Sequence, residues 1–255
     1  MTENSPYKLD AAILEDGRQR LATVRARIEV AALRAGRDPS EVTLVGVAKK
    51  QPTERILAAI AAGVHVLGQS YIQEAREVQP TIEAALAGDP TTAGIQLQWR
   101  MVGRLQRNKA ALAARLFDAV ESVDRPELVE TLARRAENEG RRLDVLLQVS
   151  LCDEPQKGGC EVDALSSLAD QVKQCESLRL AGLMSVPTAS ADPEDARPVF
   201  RRLQELRASL AESDADFASA ALSMGMSGDL EVAVEEGATL VRIGTALFGE
   251  RVLSK

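Results

Sequence analysis

Lys49 closes the mostly apolar run VTLVGVAKK at residues 42–50, and a cation delivered to the mouth of a buried strand is the first residue here that could do chemistry. Burial disfavours an ammonium ion, so such an amine is expected to lose its proton below the ordinary lysine value of about 10.4 and to attack a carbonyl carbon. That is how a Schiff-base lysine is prepared. The plainer reading is a strand-end lysine that extends its amine into water along an apolar stem.

Two glycine-bearing segments near the other end could hold an anion. In LSMGMSGDLE, residues 222–231, Ser223 and Ser227 offer hydroxyls, Gly225 and Gly228 allow close backbone approach, and a helix is expected from about Asp229. In VRIGTALFG, residues 241–249, Gly244 and Thr245 fall where a short last helix would begin, presenting unpaired N–H groups. Three or four converging charge-assisted hydrogen bonds, roughly 1.5–3 kcal/mol each, would hold a phosphate monoester. Either loop alone could use its glycines only to turn the chain; together they point to a phosphate cup. Between them, the alternation in TLVRIG puts Arg242 on the face of Leu240 and Gly244, and the small glycine suggests that this face is the crowded one. A buried arginine keeps its proton and needs a partner, which could be a pyridine nitrogen, a phosphate or an internal carboxylate.

These residues need a frame. An amphipathic helix is expected over residues 9–36, with Leu14, Leu21, Val24, Ile28, Ala31 and Leu33 in period and Gly36 ending it. Strand-like apolar runs follow at 42–49, 65–68, 95–103, 117–123, 143–150, 178–186, 221–226 and 239–244. Helical patterns lie between them, among them 53–62 opened by Thr53, 70–87, 125–139 ended by Gly140, 161–176, 192–211 and 229–236 ended by Gly237. Eight βα units in 255 residues predict a single (β/α)8 TIM barrel with an extra N-terminal helix, one domain over 1–255. In such a barrel, functional groups gather where strands end, and phosphates often sit at the loops after strands 7 and 8. Lys49 shares a face with Val47 and Val45, so it should meet Arg242 where the first and last strands adjoin.

Composition excludes several alternatives. A net charge of −7 and 3% aromatic residues argue against a nucleic-acid surface. No apolar stretch is long enough to span a bilayer and the N-terminal MTENSPYKLD has no signal-peptide character, so a cytoplasmic protein without membrane contact is expected. Cys152, Cys160 and Cys175 are odd in number and lack CxxC spacing, and they read as reduced thiols rather than a disulfide framework or metal site. His65 is the single histidine, which removes most zinc and His-based triad chemistry; it reads as a surface or structural residue.

An amine for an aldehyde, a guanidinium for a ring nitrogen and a cup for a phosphate together describe a site for pyridoxal 5'-phosphate (PLP). The sequence also resembles the pyridoxal-phosphate homeostasis (YggS/PROSC) proteins, related to the barrel domain of bacterial alanine racemase. The resemblance spans nearly the whole chain and rests on VAKKQP at 47–52, GQSYIQE at 68–74, WRMVGRLQRNK at 99–109, GLMSVP at 182–187, LSMGMSGD at 222–229 and RIGTALFG at 242–249. It implies that Lys49 forms the internal aldimine, that Arg242 faces the pyridine nitrogen, and that Ser223, Gly225, Met226, Gly244 and Thr245 surround the phosphate. Lys50 lies on the opposite strand face. The chain departs from the family's usual GEN with Gly68, Gln69 and Ser70, and from its usual WH with Trp99 and Arg100.

The resemblance implies a monomeric carrier that stores or delivers PLP for vitamin B6 homeostasis, with PLP-dependent apoenzymes and amino acids as conceivable partners and no catalytic residues. The related racemases use a tyrosine from a separate domain as second base, and here the tyrosines are Tyr7 and Tyr71. An arginine at the pyridine nitrogen also weakens the ring as an electron sink. The alternative is a single-domain amino-acid racemase using Lys49 with Tyr71 or a water; a third reading is a phosphate-ester barrel enzyme without any imine. Three further features read as structural: Arg104, Arg107 and Lys109 as a solvated basic patch, DEPQKGG at 153–159 as a flexible loop whose Lys157 could visit the phosphate, and Asp229 with Glu231 as helix-capping carboxylates.

Overall fold

The computed structural model describes residues 9–89, 92, 94–152, 154 and 157–250. Eight parallel strands close into a barrel in chain order: β1 (Thr43–Val47), β2 (Val66–Gln69), β3 (Gln98–Met101), β4 (Ala119–Val123), β5 (Leu143–Gln148), β6 (Leu178–Met184), β7 (Ala221–Ser223) and β8 (Leu240–Ile243). Closure is made by β8 against β1, with Val45 opposite Arg242. The strands are shorter than the apolar runs that announced them: Val102, whose N–H still bonds Gln69 O at 2.9 Å, and Val186 lie past the strand ends and line the barrel mouth.

The outer layer follows from helical periodicity. It consists of α1 (Ala11–Arg34), α2 (Thr53–Ala62), α3 (Ile72–Ala87), α4 (Ala110–Leu116), α5 (Pro126–Asn138), α6 (Leu165–Lys173), α7 (Arg197–Ser213), α8 (Leu230–Glu235) and the single turn α9 (Thr245–Phe248). Gly140 and Gly237 follow α5 and α8 with φ of 62° and 98°, the left-handed conformations that stop a helix. α2 begins at Thr53 as expected, although Pro52 is its N-cap and no side chain caps it.

The extra helix α1 packs outside the barrel, against α2, α8 and α9. Its N-cap Asp10 accepts from the N–H of Ala12 at 2.7 Å, and its stripe Leu21, Val24, Ile28 and Ala31 is buried. Burying each large member contributes up to about 1.5–3 kcal/mol. Gly17 permits the close crossing with α2, since a Cβ there would stand 3.1 Å from the Cβ of Ala58. α1 therefore clamps the β8–β1 seam, where the candidate chemistry sits.

The main core lies between strands and helices, and a smaller one of Val45, Leu146, Met184 and Leu240 fills the barrel interior. Above this small core the interior turns polar, with Arg100, Glu121, Ser223 and Arg242 all buried.

Candidate functional site

Past Val47 the first strand keeps one more ladder bond, from the N–H of Ala48 to Gly68 O at 2.9 Å, and then turns sharply. Ala48 is fully buried on the helix side, so the alternation sends Lys49 toward the interior, where it lines the cavity at the C-terminal mouth of the barrel. Lys50 adopts φ 55° and points away, its Nζ 5.9 Å from the centroid of the exposed Tyr71 ring. The two lysines thus have separate environments, with Lys49 on the chemical side.

The cavity is about 770 Å³. Its described lining includes five cations (Lys49, Arg104, Lys109, Lys157 and Arg242) and no carboxylate, in a chain whose net charge is −7. The local sign is therefore reversed with respect to the whole, which favours an anionic ligand.

Arg242 rises from β8 into this cavity with only 5% of its surface exposed. Its Nη1 donates to Ser223 Oγ at 2.7 Å and its Nη2 to the carbonyl of Ser185 at 2.8 Å. Burial pulls its guanidinium below the usual value, while the charges of Glu121 and Asp229 oppose that pull. The internal carboxylate considered for Arg242 exists, but it is reached through Ser223: that hydroxyl donates to Glu121 Oε2 at 2.5 Å.

The two glycine loops meet beside Arg242. Ser227 Oγ accepts the N–H of Ala246 at 3.3 Å, joining the loop after β7 to the start of α9. Gly225 has φ 92°, its carbonyl accepts the N–H of Arg242 at 2.9 Å, and an added Cβ would fall 2.4 Å from Ala233 Cβ. No side chain fits there. Gly244 is the N-cap of α9, and Met226, Ser227, Gly228, Gly244 and Thr245 all line the cavity.

The alanine racemase N-terminal domain family matches residues 20–252. The pyridoxal phosphate homeostasis protein of Pseudomonas aeruginosa is 41% identical over 233 residues, 91% of this chain and 95% of that one. The chain belongs to this family. A second member, the pyridoxal phosphate homeostasis protein of Escherichia coli, is 36% identical over 95% of this chain and all of its own. Among solved structures, PipY of Synechococcus elongatus with PLP bound superposes with a TM-score of 0.76 at 33% identity, over 91% of this chain and 100% of that one.

Against this family, five of the residues expected from the sequence line the cavity: Lys49, Met226, Arg242, Gly244 and Thr245. Ser223 and Gly225 lie beneath it, the serine bridging Arg242 to Glu121 and the glycine shaping the turn. Ser227 and Gly228 stand on the cavity wall in their place. Glu121 was not anticipated, although a lone carboxylate inside the apolar strand AVESV was a signal for it.

Other expectations are revised. Asp229 is the N-cap of α8 but does not cap it; its carboxylate reaches back to the N–H of Met226 at 2.5 Å, and burial pushes its pKa up. Glu231 sits in the first turn of α8 as expected and also pairs with Arg27 of α1 at 2.6 and 2.8 Å. Lys157 is engaged, donating to Glu154 at 2.6 Å and to the carbonyl of Pro187 at 2.7 Å, while Asp153, Pro155 and Gln156 of that loop, like Tyr7, lie outside the described residues. Arg104 and Lys109 stand on the cavity wall rather than facing solvent alone. His65 is exposed at the opposite end of the barrel, beside Thr43 and Gly63.

The two departures from the family pattern have different fates. Arg100 turns inside the barrel and pairs with Glu121. Gln69 is fully buried with neither amide atom finding a partner among the described residues, at a cost on the order of 1–3 kcal/mol.

Proposed function

We propose that this chain binds PLP and serves vitamin B6 homeostasis by storing or delivering it, without turnover of its own. The observation carrying this reading is that Lys49, just past the end of β1, and Arg242, on the adjoining β8, open into one cavity walled by cations and glycine turns. The donor set fits the group: a lysine, a buried guanidinium with donors beyond the two it spends on Ser223 and Ser185, and a cradle at Gly225 that excludes a side chain. PLP, when bound, supplies an aldehyde that an amine captures reversibly and a pyridine ring that draws electrons.

In this reading Lys49 is the covalent anchor. Arg242, a permanent donor, meets the ring nitrogen as a lone pair and keeps a proton off it. Met226, Ser227, Gly228, Gly244 and Thr245 surround the phosphate. Ser223 and Gly225 support these residues from below. The proposed setting is the cytoplasm and the proposed state a monomer, delivering to PLP-dependent apoenzymes. The three unpaired thiols suit a reducing compartment, and no helix among the described residues could cross a membrane.

Tyr71 is the observation that keeps racemisation as a second reading, because it lines the cavity as an acid or base opposite Lys49 would have to. It is 51% exposed at the mouth with Lys50 over its ring, so solvent reaches it freely rather than being excluded. The deciding experiment is to load the protein with PLP, reduce with borohydride and map the adduct by peptide mass. An adduct on Lys49, lost in Lys49→Ala, is expected; an adduct elsewhere overturns the site. Incubation with α-deuterated amino acids should then show no exchange above that of free PLP.

A further inference from the structure

Four buried side chains, Arg242 on the cavity wall and Ser223, Glu121 and Arg100 beneath it, form a single chain of hydrogen bonds. Arg100 Nε donates to Glu121 Oε1 at 2.5 Å; Ser223 Oγ donates to Glu121 Oε2 at 2.5 Å and accepts from Arg242 Nη1 at 2.7 Å. Exposure is 8% for Arg100, 0% for Glu121 and Ser223, and 5% for Arg242. We infer that Arg100 and Glu121 are positioning residues for Arg242, which set through Ser223 both the direction of its hydrogen bond and the charge presented to the ligand.

The direction follows from donor chemistry. An ionised carboxylate only accepts, so the Ser223 proton must point at Glu121, leaving the oxygen's lone pairs for Arg242. A glutamine at 121 could offer an N–H instead, and the serine proton would then be free to point at the guanidinium, donor against donor. The charge follows from counting: two guanidiniums and one carboxylate leave this layer at a net +1. The other charged groups facing the site are Lys49, Arg104, Lys109 and Lys157 on the cavity wall, Asp229, whose carboxylate influences Arg242 from the loop after β7, and Glu74, which acts on Lys49; all are unchanged in the variants below. A lone Arg–Glu pair could be only a packing device, and such pairs often contribute little net stability. This pair is different because its second carboxylate oxygen is spent on the residue that holds Arg242.

The inference rests on the reading of the cavity as a PLP site, and its readout is the pH midpoint of the bound ligand's visible absorbance, which titrates with the nitrogen shared with Lys49. The protonated form is a cation, so added positive charge nearby disfavours it and lowers the midpoint. Glu121→Gln, which takes the layer to +2, should lower the midpoint. Arg100→Met, which takes it to 0, should raise it. A unit charge within the same barrel moves such a midpoint by on the order of one pH unit. The Arg100→Met, Glu121→Gln double variant restores +1 and should return close to the wild-type midpoint. Lost packing alone would lower the melting temperature of all three variants without ordering their midpoints by charge. Single variants that leave the midpoint in place, or that move it in the same direction, overturn the inference. If Glu121→Gln does not fold, the rise in Arg100→Met and its reversal in the double variant decide the matter. A wild-type protein that takes up no PLP refutes the proposed function instead, so the two failures are distinct.

Discussion

The backbone N–H of Lys50 donates to Glu74 Oε1 at 2.5 Å, tying the turn after β1 to the first turn of α3. Lys50 is the non-glycine residue with positive φ among those described, and this bond holds the left-handed turn that leaves Lys49 facing the cavity. Burial pushes the Glu74 carboxyl above the ordinary range, opposed by the Lys50 N–H and by the charges of Lys50 and Lys49. A carboxyl raised in the folded state contributes stability while it is protonated, and that contribution fades as pH rises through the folded value. The melting temperature of Glu74→Gln relative to wild type should therefore improve as pH rises above the ordinary carboxylate value of about 4.3. Parallel melting curves above that value would remove this account. Glu74→Ala, which leaves the Lys50 N–H without its acceptor, should cost on the order of 1 kcal/mol and slow borohydride trapping at Lys49.

The two glycines of the loop after β7 should behave differently. Gly225→Ala puts a Cβ 2.4 Å from Ala233 Cβ at φ 92°, and should destabilise by about 2–4 kcal/mol while displacing the Arg242 backbone bonded to it. Adding Ala233→Gly removes the clash but not the backbone strain, so denaturant titration should show partial recovery. Gly228 has nothing within 4 Å of an added Cβ, so Gly228→Ala should melt like wild type. Because Gly228 lines the cavity, the same variant should still bind PLP more weakly, which equilibrium dialysis would measure.

Arg27 joins the N-terminal helix to this loop, donating to both oxygens of Glu231 and, at 3.0 Å, to the carbonyl of Ser227. The Arg27 hydrogen bond holds Glu231 below the ordinary carboxylate range and Glu231 raises Arg27 in return. The pair is about one-third exposed, so its stabilisation should be less than about 1 kcal/mol. A depressed carboxyl stabilises above its unfolded pKa and ceases to as pH falls through the folded one. Arg27→Ala should accordingly be less stable than wild type at neutral pH, with the gap closing below about pH 4. A gap independent of pH would assign the effect to lost packing of the arginine stem.

How much of this was legible in the chain depends on how far apart the partners lie. The eight strands were readable because strands buried on both faces are written as apolar runs, and Lys49 and Arg242 because alternation fixes the face of each. α4, seven residues of AALAARL, offers too little periodicity to stand out between two strands. The bond from Ser223 to Glu121 joins residues 102 apart in sequence across the barrel, and no local pattern encodes it. For that reason Ser223 reads as a phosphate ligand in sequence, whereas in the fold its hydroxyl serves Arg242. Glu231 is similar: its position in a first helical turn suggests capping, and only the packing of α1 against α8 reveals Arg27 as its partner.

Cys160 gives the last test. Its backbone bonds to the end of β5, N–H to Gln148 O at 2.8 Å and O to the N–H of Ser150 at 2.9 Å, which fixes the thiol in the core with 6% exposure. Burial, with smaller contributions from Asp124 and Glu161, pushes its pKa up to about 11. At pH 8 its thiolate fraction should be roughly 100-fold below that of a thiol with an ordinary pKa near 9, and reagent access is restricted besides. Native protein should alkylate at Cys152 and Cys175 well before Cys160, with Cys160 becoming reactive on unfolding; mass mapping of partially alkylated protein checks this. A raised acid stabilises the fold below its unfolded pKa and loses that contribution as pH climbs through the folded value. Wild type should therefore lose more stability than Cys160→Ala between about pH 9 and pH 11, and early alkylation of Cys160 in the native state would contradict the buried environment assigned to it.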